Sequence, residues 1–288
     1  MIIFLADGRL GNQIFQYAFL KTIQKNSEKI IVSGFEDLKE VFEIDDIINL
    51  NKENKWIRNF LFRICNPILN FLADKSIISS ISIVHEKIFD KYRRETTKYT
   101  KQNGFLNFIY FVKAGFFQSE KFFDKRFTKQ LKIKNIYLKE ANKYLQSISK
   151  DRYKVFIHIR RGDYKDHTVY DKSTLLPLNY YKDQIEWFIQ NMEKPFFIFL
   201  SDEPEFIEKE FEYIKNKMIS SVNHYGTDFA IMTQCKSGIL SPSSFSWWGS
   251  YLMKDKDIVF APKYWLGFNS RIEYQAQATP SYAKEVEI

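Results

Sequence analysis

The run His158-Ile159-Arg160-Arg161-Gly162-Asp163-Tyr164 holds the residues of this 288-residue chain best suited to chemistry. Arginine presents a flat fork of donors that matches phosphate or carboxylate two bonds at a time. Glycine lets the backbone turn where a ligand must come close. The run closes an apolar stretch that starts at Val155, so His158 sits among Phe156, Ile157 and Ile159, and a buried imidazole needs a partner. Two readings compete: a strand followed by a solvated charged turn, or a strand that delivers arginines to an anion. Three other groups bear on the choice: Ser201-Asp202-Glu203-Pro204, Asp228, and Pro242-Ser243-Ser244-Phe245-Ser246-Trp247-Trp248.

The elements that must position these groups alternate. Strand-like runs at 155–159, 196–200, 219–223, 238–241 and 257–260 are separated by helix-like segments near 179–192, 203–217, 228–236 and 244–253. That rhythm predicts a doubly wound parallel sheet, whose ligands bind outside the carboxyl ends of the strands. All four polar groups fall on that edge. Arg160 suits a diphosphate, and Arg161 suits either the same anion or a brace to a carboxylate such as Asp163. Ser243 and Ser244 open a helix, where serine caps the first turn and free amides attract phosphate. Asp228 either caps the helix Phe229-Ala230-Ile231-Met232 or accepts two parallel N–H bonds from guanine, which adenine cannot supply. Asp202 either caps its helix or orients the arginine loop. Trp247 and Trp248 read as packing residues.

Toward the N-terminus, residues 2–6 read as a strand, followed by the loop Asp7-Gly8-Arg9-Leu10-Gly11-Asn12-Gln13 and a helix whose apolar face carries Ile14, Phe15, Ala18, Phe19 and Ile23. Such a loop is either a seat for an anion or polar ligand or an ordinary tight turn. Its glycine spacing matches neither a dinucleotide fingerprint nor a Walker A loop. Ile30-Ile31-Val32 and residues 109–112 suit further strands. Residues 36–100 carry weaker patterns. Within them Trp56-Ile57-Arg58-Asn59-Phe60-Leu61-Phe62-Arg63-Ile64 reads as a core helix, with a patch resting on a membrane as the alternative. A boundary near residue 145 divides the chain into domains over 1–145 and 146–288.

Composition narrows the function classes. Hydrophobic content of 45% with 17% aromatic residues describes a folded globular protein. Cys65 and Cys235 form no disulfide framework, and Met1-Ile2-Ile3-Phe4-Leu5 lacks the basic flank of a signal segment, so a cytoplasmic location is expected. No apolar run is long enough to span a bilayer. The net charge is +8, of which +5 lies in residues 51–100 (ten Lys/Arg, five Asp/Glu), and it favours anionic partners. No zinc spacing, RNP-type motif or homeodomain-like helix supports nucleic acid. His85, His158, His167 and His224 lack metal-ligand spacing, and Asp45-Asp46 and Asp255-Lys256-Asp257 resemble metal pairs only superficially. Asp255 and Asp257 precede a strand and so fall on the wrong sheet edge. No metal is expected, and no Ser-His-Asp or Cys-His set is evident.

Taken together, these pieces resemble the bacterial α-1,2-fucosyltransferases of glycosyltransferase family 11. The resemblance is carried by Gly8-Arg9-Leu10-Gly11-Asn12-Gln13-Ile14-Phe15-Gln16-Tyr17-Ala18, by Gly115-Phe116-Phe117-Gln118-Ser119-Glu120-Lys121, by residues 158–164, by Phe199-Leu200-Ser201-Asp202, and by residues 228–249. It implies an α/β, GT-B-like fold: two Rossmann-like domains facing a central cleft, with GDP-fucose held mainly by the C-terminal one. It implies inverting, metal-independent transfer of L-fucose to the 2-hydroxyl of a terminal galactose, in surface polysaccharide or O-antigen synthesis. The donor is then GDP-fucose, no cofactor is needed, and the acceptor is a galactose-ended glycan. A lipid-linked acceptor and peripheral contact with the cytoplasmic face of the inner membrane would suit the basic 51–100 segment. Catalytic roles fall to Arg160 on the β-phosphate, to Asp163 as base with Asp7 behind it, and to Asn12. Donor contacts fall to Arg9, His158, Arg161 and Asp202, and to Asp228, Ser243, Ser244 and Phe245. Two departures are Ser241-Pro242, where Ile/Ala-Asn is expected, and Phe117, where an aromatic with a polar edge is common. The alternatives are a fucosyltransferase of another linkage (α-1,6 or O-fucosyl) and a non-catalytic nucleotide-sugar or membrane-surface module.

Overall fold

The computed structural model describes residues 1–25, 28–51, 54–83, 87–88, 94–95, 99–220 and 224–288. His85, positions 221–223 of the expected third C-terminal strand, and part of the basic 51–100 segment lie outside them. Contacts group the chain into two units, Met1–Lys87 with Glu95–Lys132, and Ile88–Arg94 with Ile133–Ile288.

The first unit is built on β1 (Ile2–Leu5), α1 (Leu10–Ile23), β2 (Ile30–Ser33), α2 (Glu36–Val41), β3 (Ile48–Asn49), α3 (Lys55–Asp74), β4 (Ile78–Ile83), β5 (Tyr99–Gln102) and β6 (Leu106–Val112). The strands form one sheet in the order β3-β2-β1-β6-β4-β5, parallel except where β5 runs against β4. Ile2 and Phe4 of β1 and Ile30 and Val32 of β2 are buried, and α1 covers the sheet with Ile14, Phe15, Ala18 and Phe19. The order reverses between β1 and β6, so the loops after these two strands border one crevice.

Residues 36–100 hold more structure than their pattern indicates. Asn54 caps α3, its side chain accepting the amides of Trp56 and Ile57. Among the described residues one stripe of α3 is packed, with Leu69, Leu72 and Ala73 against Leu106, Ile109 and Phe111. Trp56, Ile57, Phe60, Ile64, Ile68 and Phe71 are exposed. The core-helix reading of 56–64 therefore fails for most of its apolar side chains.

The second unit contains α4 (Asn135–Leu145), β7 (Tyr153–Ile159), α5 (Leu178–Asn191), β8 (Pro195–Ser201), α6 (Pro204–Glu210), β9 (Lys217–Ile219), α7 (Tyr225–Met232), β10 (Ser237–Ile239), α8 (Ser244–Tyr251), β11 (Val259–Pro262) and β12 (Lys284–Val286). Because α4 packs on α7, it belongs with this unit, and the division falls at 132/133, ahead of position 145. The sheet order is β9-β8-β7-β10-β11-β12, parallel throughout. In chain order that is 3-2-1-4-5-6, the doubly wound order whose switch point lies between the first and fourth strands. β7 is central because Val155, Phe156, Ile157 and Ile159 are apolar on both faces and fully buried. The other expected elements are present, but the third strand lies at Lys217–Ile219, earlier than the expected 219–223, α6 stops at Glu210, and the edge strand β12 had no pattern to announce it.

Candidate active site

The switch point places the loop after β7 beside the loop after β10. Asp202, just past β8, accepts the amides of Arg161 and Gly162, each at 3.0 Å, and so orients the arginine loop. A Cβ at position 162 would lie 2.7 Å from Asp202 Oδ2, which is why the turn takes glycine. Arg160 donates from Nε to Asp163 Oδ1 at 2.8 Å and holds Nη2 2.7 Å from the same oxygen, with Nη1 3.4 Å from Asp202 Oδ2. Arg161 turns the other way. Its Nε donates to Glu203 at 2.9 Å and its guanidinium lies 3.6 Å over the Phe206 ring. Its carboxylate brace is thus Glu203 and not Asp163. Lys165 also pairs with Glu203, and the two cations, Lys165 foremost, hold that carboxyl below its ordinary range.

Buried polar bonds tie the two loops together. His158 is 6% exposed, and its Nδ1 lies 2.6 Å from Ser241 Oγ, while the Ser241 amide donates to the His158 carbonyl at 3.1 Å. Burial, helped by Arg160, pushes the imidazole down to about 3, so His158 is neutral. Tyr164 donates its hydroxyl to the Pro242 carbonyl at 2.9 Å, and Tyr180 to the Leu240 carbonyl at 2.9 Å. Ser246 Oγ reaches the carbonyls of Ser241 and Ser243, each at 3.1 Å. Ser243 caps α8, accepting the Phe245 amide at 3.3 Å. Ser241-Pro242, one of the two departures from the family pattern, therefore anchors this turn.

Asp228 is not a cap. His224 takes that place on α7, its Nδ1 accepting the Gly226 amide at 3.0 Å. Asp228 lies in the first turn, half-buried, and accepts the Ser220 hydroxyl. Burial raises its carboxyl to about 6 against the lowering effect of that bond. Phe245 stands between this helix and β7, with ring centroids 5.5 Å from Phe229 and 5.6 Å from His158. Arginine, helix amides and the Asp228 carboxyl on one edge can bind an anion at one end and a hydrogen-bonding ring at the other.

In the first unit, Gly8 has φ +86°, and a Cβ there would collide with the Asn12 side chain. Arg9 is exposed at the start of α1. Gln118 Nε2 donates to Asn12 Oδ1 at 2.6 Å, joining the two loops of that unit's own switch point. Gln13 holds the Gly8 carbonyl at 3.0 Å, and Gln16 holds those of Asp7 and Gly115. Asp7 is exposed, 3.5 Å from Arg58. Phe117, with φ +53°, is buried and stacked on Phe19 at 4.0 Å. Gln118, Ser220, Glu203 and Ser241 had no role in the sequence reading. Gln118, Glu203 and Ser241 lay inside or beside matched motifs, which was the available signal; Ser220 had none. Among the described residues, no three His, Cys, Asp or Glu side chains gather as a metal-holding group.

The chain is 29% identical over 279 residues to an α-1,2-colitosyltransferase of Escherichia coli, covering 90% of each chain. It is 26% identical to the O-antigen biosynthesis glycosyltransferase WbnK of Escherichia coli, covering 92% of this chain and 95% of that one. Identity to the galactoside 2-alpha-L-fucosyltransferase SEC1 of Bos taurus is 22%, over 95% of this chain and 70% of the relative. Among solved structures, the fucosyltransferase NodZ from Bradyrhizobium aligns with TM-score 0.52 and 8% identity, over 87% of this chain and 92% of that one. POFUT1 in complex with GDP aligns with TM-score 0.52 and 12% identity, over 100% and 98%. At such identities these two likenesses show the fold alone, which is α/β and GT-B-like. The family model described as glycosyl transferase family 11 matches residues 1–283, and the chain, a glycosyltransferase, belongs to that family.

Proposed function

We propose that this chain transfers L-fucose from GDP-fucose to the 2-hydroxyl of a terminal galactose, with inversion and without a metal ion. The observation that carries the reading is the switch-point cluster, where Arg160 and the amino end of α8 face the edge on which Asp228 stands. Negative charge grows on the β-phosphate as the sugar C1–O bond breaks and the sugar becomes oxocarbenium-like. Arg160 stabilises that charge more than the ground state, as catalysis requires. Ser243, Ser244 and their amides take the diphosphate. Asp228 takes the guanine edge, with Phe245 beside it. His158 holds the turn that meets the nucleoside, while Asp202 and Arg161 hold the arginine loop. Both Arg160 contacts to Asp163 use Oδ1, which leaves Oδ2 of this exposed carboxylate for the acceptor proton. Arg9 and Asn12 are assigned to the sugar end.

The name of the Escherichia coli relative favours a second reading, with colitose as the sugar transferred. Incubation with a panel of GDP-sugars, with and without EDTA, separates the possibilities. Turnover of GDP-fucose unchanged by EDTA is expected. Preference for another sugar removes the donor assignment, and complete loss in EDTA removes the metal-free one.

A further inference from the structure

We propose that the open face of α3 seats this chain on an anionic lipid surface. At about 100° per residue, Trp56, Phe60, Phe71, Ile64, Ile57 and Ile68 share one arc of about 120°, and the arc runs about 22 Å along the helix. Trp56 is 77% exposed, Phe71 58% and Phe60 52%. The packed stripe with Leu69, Leu72 and Ala73 adjoins this arc, so the helix rests on its sheet with one apolar face and presents a second. Soluble surfaces scatter single apolar side chains; six in one continuous strip mark a docking surface.

Charge selects the occupant. Along the chain from 55 to 75, Lys55, Arg58, Arg63 and Lys75 stand against Asp74 alone. Arg63 is exposed at the edge of the arc, and the Lys75 ammonium lies 6.0 Å from the Phe71 ring centroid. The one acidic residue of the helix, Asp74, is taken up by Lys113 at 2.7 Å. Aromatic and aliphatic side chains with basic flanks suit a helix lying at the boundary of headgroups and acyl chains. Among the described residues no helix is long and apolar enough to cross a membrane, so the contact proposed is peripheral. This inference does not depend on the donor or acceptor assigned above.

The test centrifuges the full chain with vesicles of phosphatidylglycerol and phosphatidylcholine in equal parts, and with phosphatidylcholine alone. The chain is expected to bind the anionic vesicles, and the neutral ones about tenfold less or weaker. The triple substitution Phe60→Gln, Ile64→Gln, Phe71→Gln should keep the circular dichroism spectrum and lose more than about tenfold in anionic-vesicle binding. Arg63→Gln should lose about fivefold. No binding by the parent, or undiminished binding by the triple variant, overturns the proposal. So does a parent dimer in sedimentation velocity that the triple variant turns into monomer, since the face then belongs to a second copy. If the triple variant does not fold, quenching by brominated phosphatidylglycerol decides. Trp56 emission should be quenched in the parent, with the quenchable part absent from Trp56→Phe; equal quenching of both overturns the proposal.

Discussion

Arg160 and Asp163 meet through a single carboxylate oxygen: Nε at 2.8 Å and Nη2 at 2.7 Å both address Oδ1. The guanidinium is thereby oriented by Asp163 along its Nε edge, while Nη1 lies 3.4 Å from Asp202 Oδ2. Arg160→Lys keeps the charge and loses the fork. With a charge-assisted bond worth about 1.5–3 kcal/mol, kcat should fall about 10- to 100-fold. Thermal melting should be unchanged within about a degree per few tenths of a kcal/mol. Parent-like turnover would remove Arg160 from the transition state.

Asp163→Asn separates two duties of one side chain. Asparagine can still accept from Arg160 through its oxygen but takes no proton from an acceptor hydroxyl. We expect kcat to fall about 100-fold or more, with KM for GDP-fucose little changed. A raised KM with kcat little changed would instead make Asp163 only a positioning residue for Arg160.

Asp228, raised to about 6 by burial, should make guanine recognition depend on pH. The carboxylate form accepts two N–H bonds, so guanosine affinity should decline as pH falls below about 6, by up to tenfold per unit. Guanosine is the ligand to titrate because it carries no phosphate protons. Asp228→Asn should bind weakly and without that dependence. A parent whose guanosine affinity is flat through this range would contradict the assignment.

His158 gives the opposite linkage for folding. Its folded value of about 3 lies below the ordinary 6.5, so its contribution to stability is present above about 6.5 and declines as pH falls toward about 3. Asp228, whose folded value is raised, contributes stability that is lost as pH rises from about 4 through about 6. Thermal melts of His158→Gln should therefore show a shallower acid decline than the parent between about pH 6 and pH 4. Parallel declines would mean that His158 is protonated in the folded chain.

The C-terminal strands were readable because β7, β8, β10 and β11 are apolar runs broken by turn residues, whereas their order in the sheet was not. The placement of Arg160, Asp202, Asp228 and Ser243 on one edge came with the strands. Side-chain partnerships did not. Arg161 faces Glu203 rather than Asp163, and His224 rather than Asp228 caps α7, because partner choice depends on rotamers and loop shape that no period encodes. α3 misled for a different reason. Its apolar residues cover two adjoining faces, and sequence alone cannot say that the sheet covers just one of them. The strand β12 has three residues, two of them charged, so it carries no alternation.

The most direct test of the proposed transfer is product linkage. The purified chain is incubated with GDP-fucose and a β-galactoside, and the product is examined by two-dimensional NMR. The account predicts one new α-fucosyl anomeric proton correlated with galactose C2. A correlation to any other galactose carbon, or no fucosylated product from any galactose-ended acceptor, would contradict it.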